Sequence, residues 1–309
     1  MLVNQGFDQQ KHCAFQKLKG MLPEMNGSVA RAFEIACSLQ KEYVSHCLLH
    51  EKWPLTDDIF FNNYILLFMK VFSAIPAGVL NSKNRCLDVG CGEGRMLLLL
   101  KAFGLDCYGV TRNIFSGQNL QGCPRGPLLK DMFEQKKIYA SSLNIEKEPF
   151  PYPDAFFDLV VFQEVIEHLH NSPKLVLDEI KRVLKPNGYM IISTPNLASL
   201  AKRWNLLKGR SNHWDLKRYY LYEYVSPPSR DYIGHTREFT LGELAKMLEW
   251  AGFSIEKMET FDASPMLRFK DLMDHWVACK GTGLGWLLVC LLHHIFPDLG
   301  YYCLISARA

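Results

Sequence analysis

The stretch around residues 85–103 constrains the chain more than any other. A short apolar run, Arg85-Cys-Leu-Asp-Val89, passes directly into Gly90-Cys-Gly-Glu-Gly94 and then into a leucine-rich segment of helical composition over 95–103. Strand, glycine turn and helix in that order form the opening unit of a parallel α/β sheet. The glycines let a ligand approach the backbone beside the amides of a helix N-terminus, at the carboxyl ends of the strands where open α/β sheets bind ligands. The spacing differs from the dinucleotide fingerprint G-x-G-x-x-G, because the third glycine falls at Gly94 and Arg95 follows it.

The alternation continues along the chain. Residues 107–110 and 137–140 read as the second and third strands, 157–162 as the fourth, 189–193 as the fifth, 253–258 as the sixth and 301–306 as the last. Amphipathic helices are expected over 175–184, stopped by Lys185-Pro-Asn-Gly188, and over 241–251, stopped by Gly252. Strands this continuously apolar belong to a mostly parallel sheet covered on both faces. The fold class is therefore α/β, a Rossmann-like, doubly wound, mostly parallel sheet. Residues 1–80 carry helical apolar stripes that end at Pro76-Ala-Gly78, and read as an N-terminal helical cap. Residues 81–309 then form one ligand-binding domain, interrupted by a lid insertion at 197–239 and a helical excursion at 263–299 before the last strand.

Composition narrows the class further. Of 309 residues, 48% are apolar and 22% charged, with a formal net charge of +3. That excludes a disordered chain, a collagen-like chain and a highly charged nucleic-acid coat. The ten cysteines form no C-x-x-C pair and no zinc-ligand spacing. Cys86, Cys290 and Cys303 sit inside apolar runs, where a thiol behaves as a small hydrophobe. The first 20 residues lack the apolar core of a signal peptide. The most apolar stretch, 284–296, contains His293 and His294 and is shorter than the ~20 residues that span a bilayer. A reducing cytoplasm is the expected location.

Leu87-Asp-Val-Gly-Cys-Gly-Glu-Gly94 resembles motif I of the class I S-adenosylmethionine-dependent methyltransferases. Further segments follow in that family's order: Pro149-Phe-Pro-Tyr-Pro-Asp-Ala-Phe-Phe-Asp158 before strand four, Glu164-Val-Ile-Glu-His-Leu169 after it, and Leu184-Lys-Pro-Asn-Gly188 before strand five. The resemblance implies that Gly90, Cys91, Gly92 and Gly94 pass beneath the methionine part of S-adenosylmethionine (SAM). It implies that Asp88 orients the cofactor's amino group and that Gln163 lies along its methionine moiety. Two positions depart from the family pattern. Thr111 stands where an acidic residue usually holds the ribose, and Ser142, followed by Leu143, where an aspartate usually meets the adenine. Both substitutes hydrogen-bond, but without charge assistance.

Glu164, Glu167 and His168 stand at i, i+3 and i+4, so a helix there would put them on one face. By the resemblance, that face lies beside the transferable methyl, and His168, His235 and Glu164 are the candidate catalytic residues. Some members of the family hold a divalent metal with a similar Glu-x-x-Glu-His and a later histidine. Here the set would be Glu164, Glu167, His168 and His235, better suited to manganese, iron or zinc than to magnesium. A histidine acting as a metal-free general base and a purely structural role are the other two readings.

The insertion carries eight lysines and arginines against four acids, with tryptophan and tyrosine interleaved. Such residues stack on sugars, bases or aromatic acceptors, or pack as an ordinary lid. The basic track is short for single-stranded RNA, and nucleic acid is not expected as a partner. Thr194-Pro-Asn196 and Gly234-His-Thr-Arg-Glu-Phe-Thr240 resemble methyltransferases of bacterial glycan and lipid pathways. The expected function is SAM-dependent O-methylation of a small-molecule, glycan or lipid-linked acceptor. Two alternatives remain: a metal-dependent RNA terminal 2′-O-methyltransferase and a SAM-binding module without catalysis. The apolar run 284–296 reads as core, as a dimer contact or as a membrane-surface contact.

Overall fold

A computed structural model describes residues 11–16, 18–19, 22, 27–48, 65–112, 125–213, 216, 220, 225–226, 231–232, 234–262 and 297–309. Helices α1 (Gly27–Leu48) and α2 (Ile65–Ser73) precede the sheet, and residues 11–16 and 18–19 are also helical. Then come β1 (Arg85–Val89), α3 (Arg95–Ala102), β2 (Asp106–Thr111), α4 (Arg125–Lys136), β3 (Tyr139–Ser142) and β4 (Phe157–Gln163). After them follow α5 (Lys174–Val183), β5 (Leu184–Pro195), α6 (Leu200–Leu207), the short strands β6 (Val225–Ser226) and β7 (Asp231–Tyr232), α7 (Leu241–Trp250), β8 (Ser254–Phe261) and β9 (Tyr302–Arg308).

The seven-stranded sheet has the order β3-β2-β1-β4-β5-β9-β8. The pairs from β3 to β5 are parallel, and β9 runs antiparallel between β5 and β8. The expected doubly wound sheet is the one found. Its order reverses between β1 and β4, which opens a crevice at their carboxyl ends.

Successive strand residues feed opposite faces, as a period of two requires. Cys86, Leu159 and Ile191 join a core with Phe33 of α1, Phe72 of α2, Leu97 of α3 and Phe133 of α4. Their neighbours Leu87, Val160 and Ile192 join a second core with Ile180 of α5 and Leu244 of α7. α1 and α2 thus share one core with the sheet. In α5 the buried residues Val176, Leu177, Ile180 and Val183 form the apolar stripe read in the sequence. α7 opens on a capping box: Thr240 accepts from the Glu243 amide, and Glu243 accepts from the Thr240 amide.

Several expectations needed correction. The turn over Lys185–Gly188 lies inside β5: Leu184 faces Phe157 and Tyr189 faces Leu159, so the residues between loop out, with Asn187 at φ 62°. β3 starts two residues later than expected because Lys137, at φ 53°, still belongs to the preceding turn. The condition for a shared helix face over Glu164–His168 is not met. Glu164 takes φ 53°, a left-handed value, and only a 3-10 turn follows over Ile166–His168. α4 and α6 were not anticipated.

The buried cysteines Cys86, Cys91, Cys107 and Cys303 keep their thiols. Burial pushes the first two well up and the last to about 12, which suits a packing role. Among the described residues no helix is long and apolar enough to cross a membrane. The run 284–296, and all of the 263–299 excursion before Pro297, lies outside the described residues.

Candidate active site

The glycine turn is fastened to the end of β2. The amides of Gly90 and Cys91 both donate to the Val110 carbonyl, at 2.7 and 3.2 Å, and the Gly94 amide donates to Cys91 at 2.7 Å. This geometry puts Gly90, Gly92 and Gly94 at φ 78°, 50° and 69°. A Cβ on Gly90 would meet the Val165 side chain at 2.3 Å, and one on Gly94 would meet the Phe133 ring at 2.1 Å. At Gly92 the nearest atom is the Gly90 carbonyl, 3.9 Å away. The outer two glycines are therefore required by packing, whereas among the described residues Gly92 has room for a side-chain atom.

Beside the turn lies a cavity of about 250 Å3, lined among others by Gly90, Thr111, Leu143, Asn144, Glu164 and His168. The fold thus brings five of the sequence-derived site residues together. Ser142 is exposed at the end of β3 and is not part of the wall, which Leu143 and Asn144 form instead. Alternation explains the correction: residues next to each other on a strand end face opposite ways. Cys91 also differs from expectation, because its Sγ sits where a Cβ on Gly109 of β2 would fall, 2.7 Å away. Its backbone alone is available to a ligand.

Asp88 is buried at the end of β1, and burial lifts its carboxyl to about 7. The Oε1 of Gln163 is shielded and accepts no hydrogen bond among the described residues. Leaving such an atom unmet costs about 1–3 kcal/mol. Both features suit a ligand that brings a cationic donor and N–H or O–H groups.

Glu164 and Glu167 leave β4 side by side and are held by β5. Ser193 Oγ donates to Glu164 Oε1 at 3.0 Å, and Thr194 Oγ1 donates to Glu167 Oε2 at 2.9 Å. Burial, then the proximity of Glu167, pushes Glu164 well above the usual carboxylate range. Burial likewise lifts Glu167 to about 7. The backbone carbonyl of Glu167 accepts from the amides of Thr236 and Arg237, at 2.7 and 3.2 Å, and so brings in the end of the insertion. That insertion is closed at its neck by a bridge between Asn196 and Phe239.

The two histidines meet here, ring centroids 4.9 Å apart and nearly perpendicular. His168 Nδ1 lies 3.2 Å from the Gly234 carbonyl, which can only accept, so this nitrogen carries the proton. His235 Nδ1 lies 2.8 Å from Glu238 Oε1, and Lys202 of α6 is hydrogen-bonded to Glu238 Oε2. Burial opposes ionisation of Glu238, but the bond from His235 and the Lys202 charge hold it below the ordinary carboxylate range. In its neutral form each imidazole would then carry its lone pair on Nε2. One ligand atom each from Glu167, His168 and His235 lies within 4.8 Å of the others. Glu164 is outside that group, so the set of four metal ligands drawn from the sequence contracts to three. Glu238 and Lys202 were missed. The His235-x-x-Glu238 spacing was the available signal for the first, and nothing local marks the second.

These buried carboxyls predict a definite pH response. Glu179, Glu238, Glu243 and Glu259 are lowered and finish titrating below the ordinary range, so they do not act above about pH 5. Asp88, Glu164 and Glu167 are raised. Between the unfolded carboxylate range and pH 7 the native state holds more protons than the unfolded one, so stability falls as pH rises. Thermal melts without ligand should show Tm decreasing from pH 5 to 8, and Asp88→Asn should flatten the slope. A flat or rising wild-type profile would contradict the burial of these groups.

The sheet order and the glycine turn at the switch point are those of the class I SAM-dependent methyltransferases. Residues 65–258, more than half of the chain, match the methyltransferase domain, and the chain belongs to that family. An uncharacterized protein of Methanocaldococcus jannaschii is 30% identical over 162 residues, 50% of this chain and 62% of that protein. The ubiquinone biosynthesis O-methyltransferase of Rickettsia akari is 26% identical over 211 residues, 65% of this chain and 72% of that protein. Norajmaline N-methyltransferase of Rauvolfia serpentina is 32% identical over 109 residues, 34% of each chain. The family's cofactor is SAM, and the room at Gly92, the cavity and the unmet Gln163 oxygen fit it.

Proposed function

We propose that the chain is a SAM-dependent O-methyltransferase of a small-molecule, glycan or lipid-linked acceptor. The observation that carries this reading is the His235–Glu238 pair at 2.8 Å, set against His168 on the cavity wall. An alcohol or phenol must lose its proton as its oxygen attacks, and a neutral amine need not, so a built proton acceptor favours oxygen. Bound SAM supplies an electrophilic methyl group on a sulfonium. Asp88 takes the cofactor's ammonium, Gln163 accepts from its methionine part, and Thr111, Leu143 and the Gly90–Gly94 turn shape its bed. His235 holds the acceptor's proton on Nε2, and Glu238, kept ionised by Lys202, stabilises the imidazolium that results. His168 and Glu164 line the acceptor side. The O-methyltransferase named for ubiquinone biosynthesis supports an oxygen acceptor, while the related N-methyltransferase keeps a nitrogen acceptor as the alternative to be screened.

A second reading of the same face rests on the Glu167 carboxylate. Its Oε1 is buried, makes no hydrogen bond among the described residues, and lies 3.8 Å from His168 Nε2. Glu167, His168 and His235 fit a divalent cation, and each has a partner that fixes its orientation: Thr194, the Gly234 carbonyl and Glu238. A cation there would act as a Lewis acid and lower the pKa of the acceptor hydroxyl.

The test is a methyl-transfer screen with labelled SAM over phenols, glycans, lipid-linked sugars, amines and RNA, run with and without chelator. Label on oxygen that survives chelation supports the base. Label on oxygen that is lost with chelator and restored by manganese, iron or zinc supports the cation. Label on amine or RNA alone overturns the oxygen, small-acceptor reading.

A further inference from the structure

The insertion helix α6 has two dissimilar sides. Inward, Lys202 is buried, hydrogen-bonded to Glu238, and its Nζ stands 5.3 Å over the Tyr301 ring. Outward, Leu206 and Leu207 are 61% and 78% exposed at the helix end, with Trp204 also exposed one turn before. Arg203, Lys208 and Arg210 surround these apolar groups, and all three are exposed. None forms an ion pair among the described residues: Arg203 donates to the Ala198 carbonyl, and Lys208 rests 4.8 Å over the Trp204 ring. No acidic residue occurs between Ala198 and His213.

A tryptophan and two leucines on a helix end are a cost in water, and among the described residues they stay exposed. Flanked in the sequence by Arg203, Lys208 and Arg210, with no acid between 198 and 213, they complement a surface that is apolar beneath and negative above. We infer that α6 docks the protein on an anionic lipid surface, with Trp204, Leu206 and Leu207 entering the head-group boundary and Arg203, Lys208 and Arg210 meeting phosphates. Interfacial segments of this make combine buried apolar area with attraction to acidic lipids. Each cation near such a surface contributes about fivefold in affinity, by the ~1 kcal/mol expected per charge. The apolar residues decide that the partner is a bilayer and not a polyanion alone. A nucleic acid would use the cations and, at most, one aromatic ring, and would leave both leucines in water.

The placement also bears on the acceptor, and this part rests on the reading above. α6 lies between the docking side and the His235–Glu238 pair, joined to the pair by Lys202. A hydroxyl carried at head-group depth would be presented to the site without leaving the membrane.

The experiment is sedimentation of the full chain, with SAM present, on vesicles of phosphatidylcholine alone or mixed equally with phosphatidylglycerol. Binding to the mixed vesicles, lost at high salt and at least tenfold weaker on phosphatidylcholine alone, is the expected result. Leu206→Asp with Leu207→Asp, and separately Arg203→Gln with Lys208→Gln and Arg210→Gln, should each weaken it at least tenfold. Neither set touches the site, so SAM affinity by calorimetry should match wild type and confirm a folded protein. Sedimentation on neither vesicle, unchanged binding in both variants, or displacement from the vesicles by a single-stranded oligonucleotide whose own binding needs the leucines no more than water does would each overturn the inference. Failure of methyl transfer with vesicle binding intact would count against the proposed reaction and leave the docking surface standing.

Discussion

His235→Ala should lower kcat by ~10²–10⁴-fold, the contribution of a positioned general base, while leaving SAM affinity close to wild type. Glu238→Gln is the sharper probe because the ring stays in place. Without the carboxylate 2.8 Å from Nδ1, the imidazolium loses its stabilising charge. The rate plateau should drop, and the acidic limb of the pH-rate profile should move to lower pH. A merely structural pair would not move that limb. Near-normal turnover in both variants, with the profile unshifted, would remove the acid-histidine face from catalysis and make a neutral amine the better acceptor.

Gly92→Ala should cut SAM affinity by at least 100-fold with a melting temperature only a few degrees below wild type. Among the described residues the added methyl's nearest neighbour is the Gly90 carbonyl at 3.9 Å, so the fold bears only the left-handed backbone, about 1–2 kcal/mol. The space it enters is the space proposed for the cofactor. Gly94→Ala is the contrast: its methyl would sit 2.1 Å from the buried Phe133 ring, adding an overpacking cost of about 1–3 kcal/mol. Calorimetry and melts on the two variants should therefore separate, one losing ligand and the other losing stability. Unchanged affinity at Gly92 would sink the assignment of the turn.

The contrast between the two glycines also marks how far the sequence could be read. Motif, strand and helix around Asp88–Gly94 were legible because every signal there is local: an apolar run, three glycines, a leucine-rich helix. So was α7, whose Thr240-x-x-Glu243 cap is written within four residues. What escaped is of another kind. Glu164 at φ 53° is strained in a way no non-glycine residue announces, and its conformation put a 3-10 corner where a helix would have given a shared face. α4 lacks a strong apolar stripe and β3 has only four residues, so register at Ser142 and Leu143 was open to error. Lys202 reaches Glu238 across 36 positions of chain, a contact that exists only after the insertion has closed. The glycine turn and the strand before it were readable, and the residues that orient the acid-histidine pair mostly were not.

The position of β9 sets an order of assembly. Residues 302–308 follow β5 by more than a hundred positions, yet they pair along Tyr189–Pro195 on one side and 254–261 on the other. During synthesis β1 to β5 can form a parallel sheet early, but β5 then waits with a bare edge while more than a hundred residues are made. That edge includes Ser193 and Thr194, the residues that hold Glu164 and Glu167. Among the described strands β8 pairs with β9 alone, so it too waits until β9 arrives. A nascent chain would pass through a ligand-shaped but unfinished state, prone to edge-to-edge pairing with other nascent copies. The strand that completes the sheet is thus made long after the residues it supports.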